Sequence, residues 1–204
     1  MDASLFDYEL PESLIAQEPI EPRDHSRLMV LHRATQTIEH RRFYELPDYL
    51  QAGDTLVLND TRVSAWRLLG RKPTGGQAEV FLLHPLADGR WHALVRPGRR
   101  LPDGSRVLVG EQLAVVIEGR LEGGLRLVRL HSDEPPEQLL PRVGQVPLPP
   151  YIHKQLTAPE RYQTVYAHAP GSAAAPTAGL HFTPALLVRL KAQGVQIVYI
   201  TLHV

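Results

Sequence analysis

The chain has 204 residues, 43% of them hydrophobic, with 22 Lys and Arg balancing 22 Asp and Glu and with no cysteine. That length and apolar content suit one large domain or two small ones with a real core. Zero formal charge excludes a protein that coats polyanions through bulk charge and confines any RNA contact to a patch, and the missing cysteines exclude a disulfide frame or a thiolate zinc site.

The N-terminal run MDASLFDYELPESL lacks a basic segment ahead of an apolar core, and no stretch approaches the length of a membrane span. A cytoplasmic protein with no membrane partner is therefore expected. Pro11 to Gln17 reads as a short helix with Pro in its first turn, stopped by Pro19. Arg27 to His32 reads as a strand. A second short helix is predicted over Pro47 to Gln51, and after Gly53 the apolar run Thr55 to Leu58 reads as another strand, ending at the polar pair Asn59-Asp60.

From Val63 to His131 the texture changes to six strand-like pieces, at 63 to 69, 78 to 83, 90 to 95, 105 to 109, 112 to 118 and 124 to 131, which predict a small barrel or sandwich. Asp88-Gly89, Asp103-Gly104 and Gly123-Gly124 supply the positive backbone dihedrals that tight hairpins between antiparallel neighbours need. Pro135 to Val143 holds one or two helical turns. Val146 to Pro150 must be extended, because each Pro fixes its own backbone and restricts its predecessor; it reads as the return from the barrel. Thr183 as N-cap, Pro184 at the first helical position and Gly194 past the end mark a helix, and Val195 to Leu202 reads as a buried strand. The sequence then stops beside that apolar run, with no polar tail, and a fragment is expected.

No G-x-G-x-x-G, P-loop, H-E-x-x-H or G-x-S-x-G motif occurs, and the ten histidines lack metal-ligand spacing, so no metal is expected. Polar clusters stand out instead at element ends. Asn59-Asp60-Thr61-Arg62 packs an acceptor, a carboxylate, a hydroxyl and a guanidinium into four residues: a ligand site, or an Asx-turn with a surface ion pair. Thr74-Gly75-Gly76 offers backbone amides to an anion, or a plain hairpin loop. Tyr151 and the run Arg161 to Tyr166 hold the ingredients for stacking on a splayed base and reading its edge, though core tyrosines give the same pattern. Ala173 to Thr183 joins a small-residue loop directly to a capped helix, so that a ligand can lie against bare backbone near a helix start.

The strings FDYELPESLIAQEP, RDHSRL, NDTRV, TGG, RPGRRL, PLPPYI, RYQTVYA, AAPTAGLHFT and TLHV occur in that order over nearly the whole chain. Together they resemble the S-adenosylmethionine:tRNA ribosyltransferase-isomerases of queuosine biosynthesis, which continue past the last string. The resemblance implies an α+β fold in which an α/β domain (1–62 and 146–204) is interrupted by an inserted six-stranded antiparallel β-barrel (63–145). It implies transfer of the ribosyl group of S-adenosylmethionine to 7-aminomethyl-7-deazaguanine at the tRNA wobble position. Epoxyqueuosine forms, and adenine and methionine leave. The partner would be a tRNA anticodon stem-loop, and a monomer is expected.

On chemical type, His181 is the expected base for the proton next to the sulfonium and Asp60 the group that assists adenine departure, with Arg62 orienting it or contacting phosphate. Tyr151, Tyr162 and Gln163 are expected to stack on and read a base, while Asn59, Thr164, Thr177, Gly179 and Phe182 complete the substrate-binding set. Arg96, Arg99 and Arg100 are expected to hold RNA phosphates. A noncatalytic tRNA-binding module is the alternative, separable by whether adenine is released. A methyltransferase is disfavoured, because no Gly-rich cofactor loop follows a strand.

Overall fold

A computed structural model describes residues 2–154, 156 and 158–202. His203 and Val204, the end of the TLHV string, lie outside them. The N-terminal segment makes only single 3-10 turns, and the helix expected over Pro11 to Gln17 is one such turn, Glu12–Leu14. Pro19 and Pro22 bracket too few free residues to close hydrogen bonds further along. Strand β1 (Arg27–His32) pairs antiparallel with β2 (Thr37–Arg42), a strand the sequence reading missed. Only Glu39 of β2 is even half-buried, so the strand carries no apolar alternation to reveal it. A 3-10 helix over Phe43–Tyr49 takes the place of the helix expected at 47 to 51.

Strands β3 (Thr55–Asn59) and β4 (Thr61–Val63) then lead into the barrel. It consists of β5 (Trp66–Arg71), β6 (Gln77–Pro85), β7 (Arg90–Arg96), β8 (Arg106–Val109), β9 (Leu113–Arg120) and β10 (Arg126–His131). The strands close in the order β10-β7-β6-β5-β8-β9, all antiparallel. Alternate side chains fill the interior: Leu68, Val80, Leu82, Ala93, Val107, Val115, Ile117 and Val128 are fully buried. At Gly70 a Cβ would stand 2.5 Å from the Leu108 carbonyl oxygen, so β5 can meet β8 only where no side chain intervenes. Helix α1 (Pro136–Val143) adds Leu139 and Leu140 to the same core.

Gly89, Gly123 and Gly124 take the positive φ expected of them, and they join β6 to β7 and β9 to β10. Gly104 also has positive φ, but its turn is not a hairpin between neighbours. Closure gives β7 the partners β6 and β10, and the Gly104 N–H instead donates to Ile117 O at 2.7 Å, across the start of β8.

The chain returns through a two-way bridge between Arg67 and Gln145 and reaches β11 (Ala169–Ser172), which lies parallel to β4. Thr183 caps helix α2 (Pro184–Ala192), accepting from Leu186 N at 3.1 Å, and β12 (Gln196–Ile200) pairs parallel with β3. Leu186, Leu190 and Val195 pack with Phe43, Leu58 and Phe182 in a second core. The strand expected to be buried is not. Val198, Tyr199 and Ile200 are 42–43% exposed, because β3 is the sole strand partner of β12 among the described residues and its outer face is uncovered.

Candidate functional site

The Asn59–Arg62 cluster turns out to be a joint. Asn59 Oδ1 accepts from Thr61 N (3.0 Å), Thr61 Oγ1 (2.6 Å) and Leu202 N (3.3 Å), and its Nδ2 donates to Leu202 O. These bonds tie the β3–β4 corner to the end of β12. The Asp60 carbonyl accepts from His168 and Ala169, and its carboxylate accepts from Thr201 Oγ1 at 2.8 Å. Arg62 pairs with Glu160 at 2.6 Å. The Asx-turn with a surface ion pair is therefore what forms here.

The next polar run is also largely committed to structure. Gln163 is buried, and its amide does the work of a strand partner: Oε1 accepts from Val63 N (3.0 Å) and Nε2 donates to Val63 O (2.9 Å). The amide expected to read a base is bonded to the main chain of Val63 instead. Phe182 meets Phe43 edge-on at 4.9 Å within the second core, so it presents no face to a ligand. Thr164 is buried, with its hydroxyl unpaired. The small-residue loop is no hollow at Gly179, where a Cβ would lie 2.2 Å from Tyr166 Oη and 3.0 Å from Thr164 Cγ2. Tyr166 fills the space that glycine leaves. Its phenol is pushed up to about 12 by burial, with the neighbouring Tyr199 adding to the effect.

An open cavity of about 730 Å³ lies on another side of this loop. Thr177, Leu180 and His181, from the 3-10 turn Thr177–His181, form one wall, with Tyr162 and Arg161. Leu148, Pro149, Tyr151 and Ile152 of the proline-rich return and Ala16 to Pro19 with Glu21 of the N-terminal segment form the other. Gln17 fastens these last two together, donating to Tyr151 O (3.0 Å) and accepting from His153 N (2.8 Å). Tyr151 is half exposed, and its ring is available to a planar ligand; Tyr162 is buried in the wall, where desolvation raises its hydroxyl pKa.

His181 is half-buried, 5.2 Å from the Phe43 ring. Burial pushes its imidazole below the ordinary value of 6.5, the Arg23 guanidinium adds to the lowering, and a hydrogen bond with the Arg23 main chain opposes it. The result is a neutral imidazole near pH 7, a form able to accept a proton. Asp60 is not on this wall. His181 and Asp60, expected to act across one site, face different surroundings: the cavity for one, Thr201 for the other.

Of the residues expected to touch substrate, the cavity thus collects Tyr151, Tyr162, Thr177 and His181, while Asn59, Asp60, Arg62, Gln163, Thr164, Gly179 and Phe182 lie in the surrounding frame. Sequence reasoning passed over Gln17, Glu18 and Arg23, and gave Arg161 no role of its own within the run Arg161 to Tyr166. They sit in the quoted strings, but their meeting depends on contacts between segments about 140 residues apart, such as Arg161 Nη2 to Ile20 O at 2.8 Å. Arg96, Arg99 and Arg100 are exposed at one end of the barrel, where Arg96 joins Arg71 and Lys72 around a second open cavity of about 840 Å³. Among the described residues no group of three or more His, Cys, Asp or Glu is placed to hold a metal ion.

A family model described as a queuosine biosynthesis protein matches residues 3–204. The S-adenosylmethionine:tRNA ribosyltransferase-isomerase of Symbiobacterium thermophilum is 58% identical over 206 residues, covering 100% of this chain and 60% of that protein. The protein of the same name from Thermotoga petrophila is 52% identical over 204 residues, again covering 100% and 60%. The chain thus spans about 60% of the length of these curated relatives. A crystal structure of S-adenosylmethionine tRNA ribosyltransferase from Thermotoga maritima aligns with 41% identity and a TM-score of 0.40, over 98% of this chain and 58% of that one.

Proposed function

The chain belongs to the queuosine biosynthesis protein family, and on that premise we propose that it acts in transferring and isomerising the ribosyl group of S-adenosylmethionine onto 7-aminomethyl-7-deazaguanine at the wobble position of tRNA. The product is epoxyqueuosine, and adenine and methionine are released. The observation that carries this reading is a half-buried imidazole, held neutral by desolvation, on the wall of a nucleoside-sized cavity faced with tyrosine.

A sulfonium acidifies the protons on the adjoining ribose carbon, and a neutral base beside it takes one. His181 fills that role. Tyr151 stacks on a base at the cavity mouth, where a stacked aromatic contributes about 1–3 kcal/mol, and aromatic faces also suit a sulfonium cation. Tyr162 and Thr177 shape the wall. We assign Asn59, Asp60, Arg62, Gln163, Thr164, Gly179 and Phe182 to holding the 161–183 segment in place rather than to touching substrate, given the bonds and contacts they already make. Arg96, Arg99 and Arg100 meet tRNA phosphates at the barrel end. The domain division is 1–62 and 146–204 around an inserted barrel at 63–145.

The test is incubation with S-adenosylmethionine and tRNA carrying the deazaguanine precursor, with adenine release followed by chromatography and RNA retention by filter binding. Adenine release by the wild-type chain that is lost in His181→Ala, with RNA still retained, is the expected outcome. RNA retention without adenine would make the chain a binding module. Unchanged release from His181→Ala would remove the base assignment.

A further inference from the structure

Beside the main cavity, and sharing His181 and Arg161 with it, lies a smaller one of about 350 Å³ whose lining includes four arginines: Arg23, Arg27, Arg42 and Arg161. The one carboxylate on that wall, Glu18, is ion-paired with Lys154.

Three of the four arginines are fixed by main-chain carbonyls, which aim a guanidinium without cancelling its charge. Arg23 Nη1 donates to Gln163 O (3.0 Å) and Leu180 O (3.3 Å), Arg42 Nη1 to His25 O (3.0 Å) and Arg161 Nη2 to Ile20 O (2.8 Å). Arg161 also meets Glu21 at 3.1 Å, but that carboxylate is 73% exposed and does not line the cavity. Arg27 and Arg42 are direct partners in the antiparallel register of β1 and β2, and like charges so opposed destabilise a strand pair. Among the described residues no side-chain hydrogen bond or ion pair holds Arg27. The Ser26 hydroxyl, buried on the same wall, has no partner. Burial and the charge of Arg161 both lower the pKa of Arg23. Concentrated positive charge, fixed donors and an unpaired buried hydroxyl are all relieved by one event, the arrival of an anion with several acceptor oxygens.

We propose that this smaller cavity is a phosphate site, held by Arg23, Arg27, Arg42 and Arg161 with Ser26, and that it takes one backbone phosphate of the polynucleotide whose base enters the larger cavity. The second half rests on the function proposed above; the anion site does not.

Two arms separate them. In the first, inorganic phosphate is titrated against chloride at equal ionic strength, with the His181 imidazole followed by NMR and thermal unfolding measured in parallel. Phosphate is expected to raise the His181 pKa, by offsetting the Arg23 charge, and to raise Tm. Both responses weaken by roughly tenfold in phosphate affinity in Arg27→Gln and Arg42→Gln, as loss of a charge-assisted bond implies. Arg27→Gln should melt no lower than wild type in phosphate-free buffer, because it removes the repulsion across β1 and β2 and breaks no side-chain bond among the described residues, which separates lost binding from lost folding; Arg42→Gln also gives up its bond to His25 O, so its phosphate affinity is compared under conditions where it is fully folded. No difference between phosphate and chloride, or phosphate binding by both variants as tight as that of the wild type, would overturn the site.

In the second arm, an anticodon hairpin RNA carries a neutral methylphosphonate at one position at a time. One position should cost wild type as much affinity as Arg27→Gln does and cost that variant nothing further, and Arg27→Gln should make the salt slope shallower by about one. If phosphate binds but no RNA position behaves so, the polynucleotide assignment is refuted. A positive phosphate arm with no adenine release removes the proposed function and leaves the anion site standing.

Discussion

Gly179→Ala tests the claim that the small-residue loop is packed by its own side chains. The added methyl would sit 2.2 Å from Tyr166 Oη, 3.0 Å from Thr164 Cγ2 and 3.3 Å from Tyr166 Cζ. Tyr166 has little room to yield, since its ring packs at 6.2 Å against Phe182 and 5.5 Å against Tyr199. Overpacking of this kind costs about 1–3 kcal/mol. Gly179 does not have a positive φ, so alanine is free of backbone strain there and recovers about 0.4–1 kcal/mol by restricting the unfolded chain. The net expectation is a loss of about 1–2 kcal/mol in urea unfolding. Tyr166→Phe removes the clashing oxygen and leaves only the contacts at 3.0 and 3.3 Å, which small shifts absorb. The double variant Gly179→Ala with Tyr166→Phe should therefore regain at least half of the loss, a coupling that a double-mutant cycle reads directly. A Gly179→Ala protein as stable as wild type, or one that Tyr166→Phe fails to rescue, would show that the loop is open and the packing argument mistaken.

Thr183→Ala removes the α2 cap and the bond from Thr183 Oγ1 to Asp24 Oδ2 at 3.0 Å; a loss of about 1–2 kcal/mol is expected by thermal or urea unfolding. Gln163→Leu strands the buried N–H and C=O of Val63 and should cost at least about 2 kcal/mol, whereas a surface substitution such as Arg99→Gln should fall within about 0.5 kcal/mol. Because burial lowers the His181 pKa, the unfolded chain takes up its proton first as pH falls below 6.5. The stability attached to the neutral imidazole is present in full above that pH and declines as pH drops toward the folded value. His181→Asn should flatten this part of the stability profile, and an unchanged slope would contradict the burial argument.

Much of the barrel and the start of α2 could be read from the sequence because their signals are local. Asp88-Gly89 and Gly123-Gly124 set their turns within two residues, the intervening strands are short apolar runs rich in Val and Leu, and Thr183-Pro184 marks a helix start on its own. The strings that resemble the family are equally a property of sequence. What only the tertiary structure decided is which groups remain free. Gln163, Asn59 and Phe182 carry the right chemistry for a ligand, but Val63, Leu202 and Phe43 already occupy them. The pairing of β3 with β12 and of β4 with β11 joins segments more than 100 residues apart, and β2 declares itself only beside β1. The cavity at His181 exists because the N-terminal segment is fastened across the proline-rich return by Gln17. Periodicity and turn chemistry act over a few residues, whereas burial, charge crowding and the occupation of a hydrogen-bonding group depend on what the folded chain brings against it.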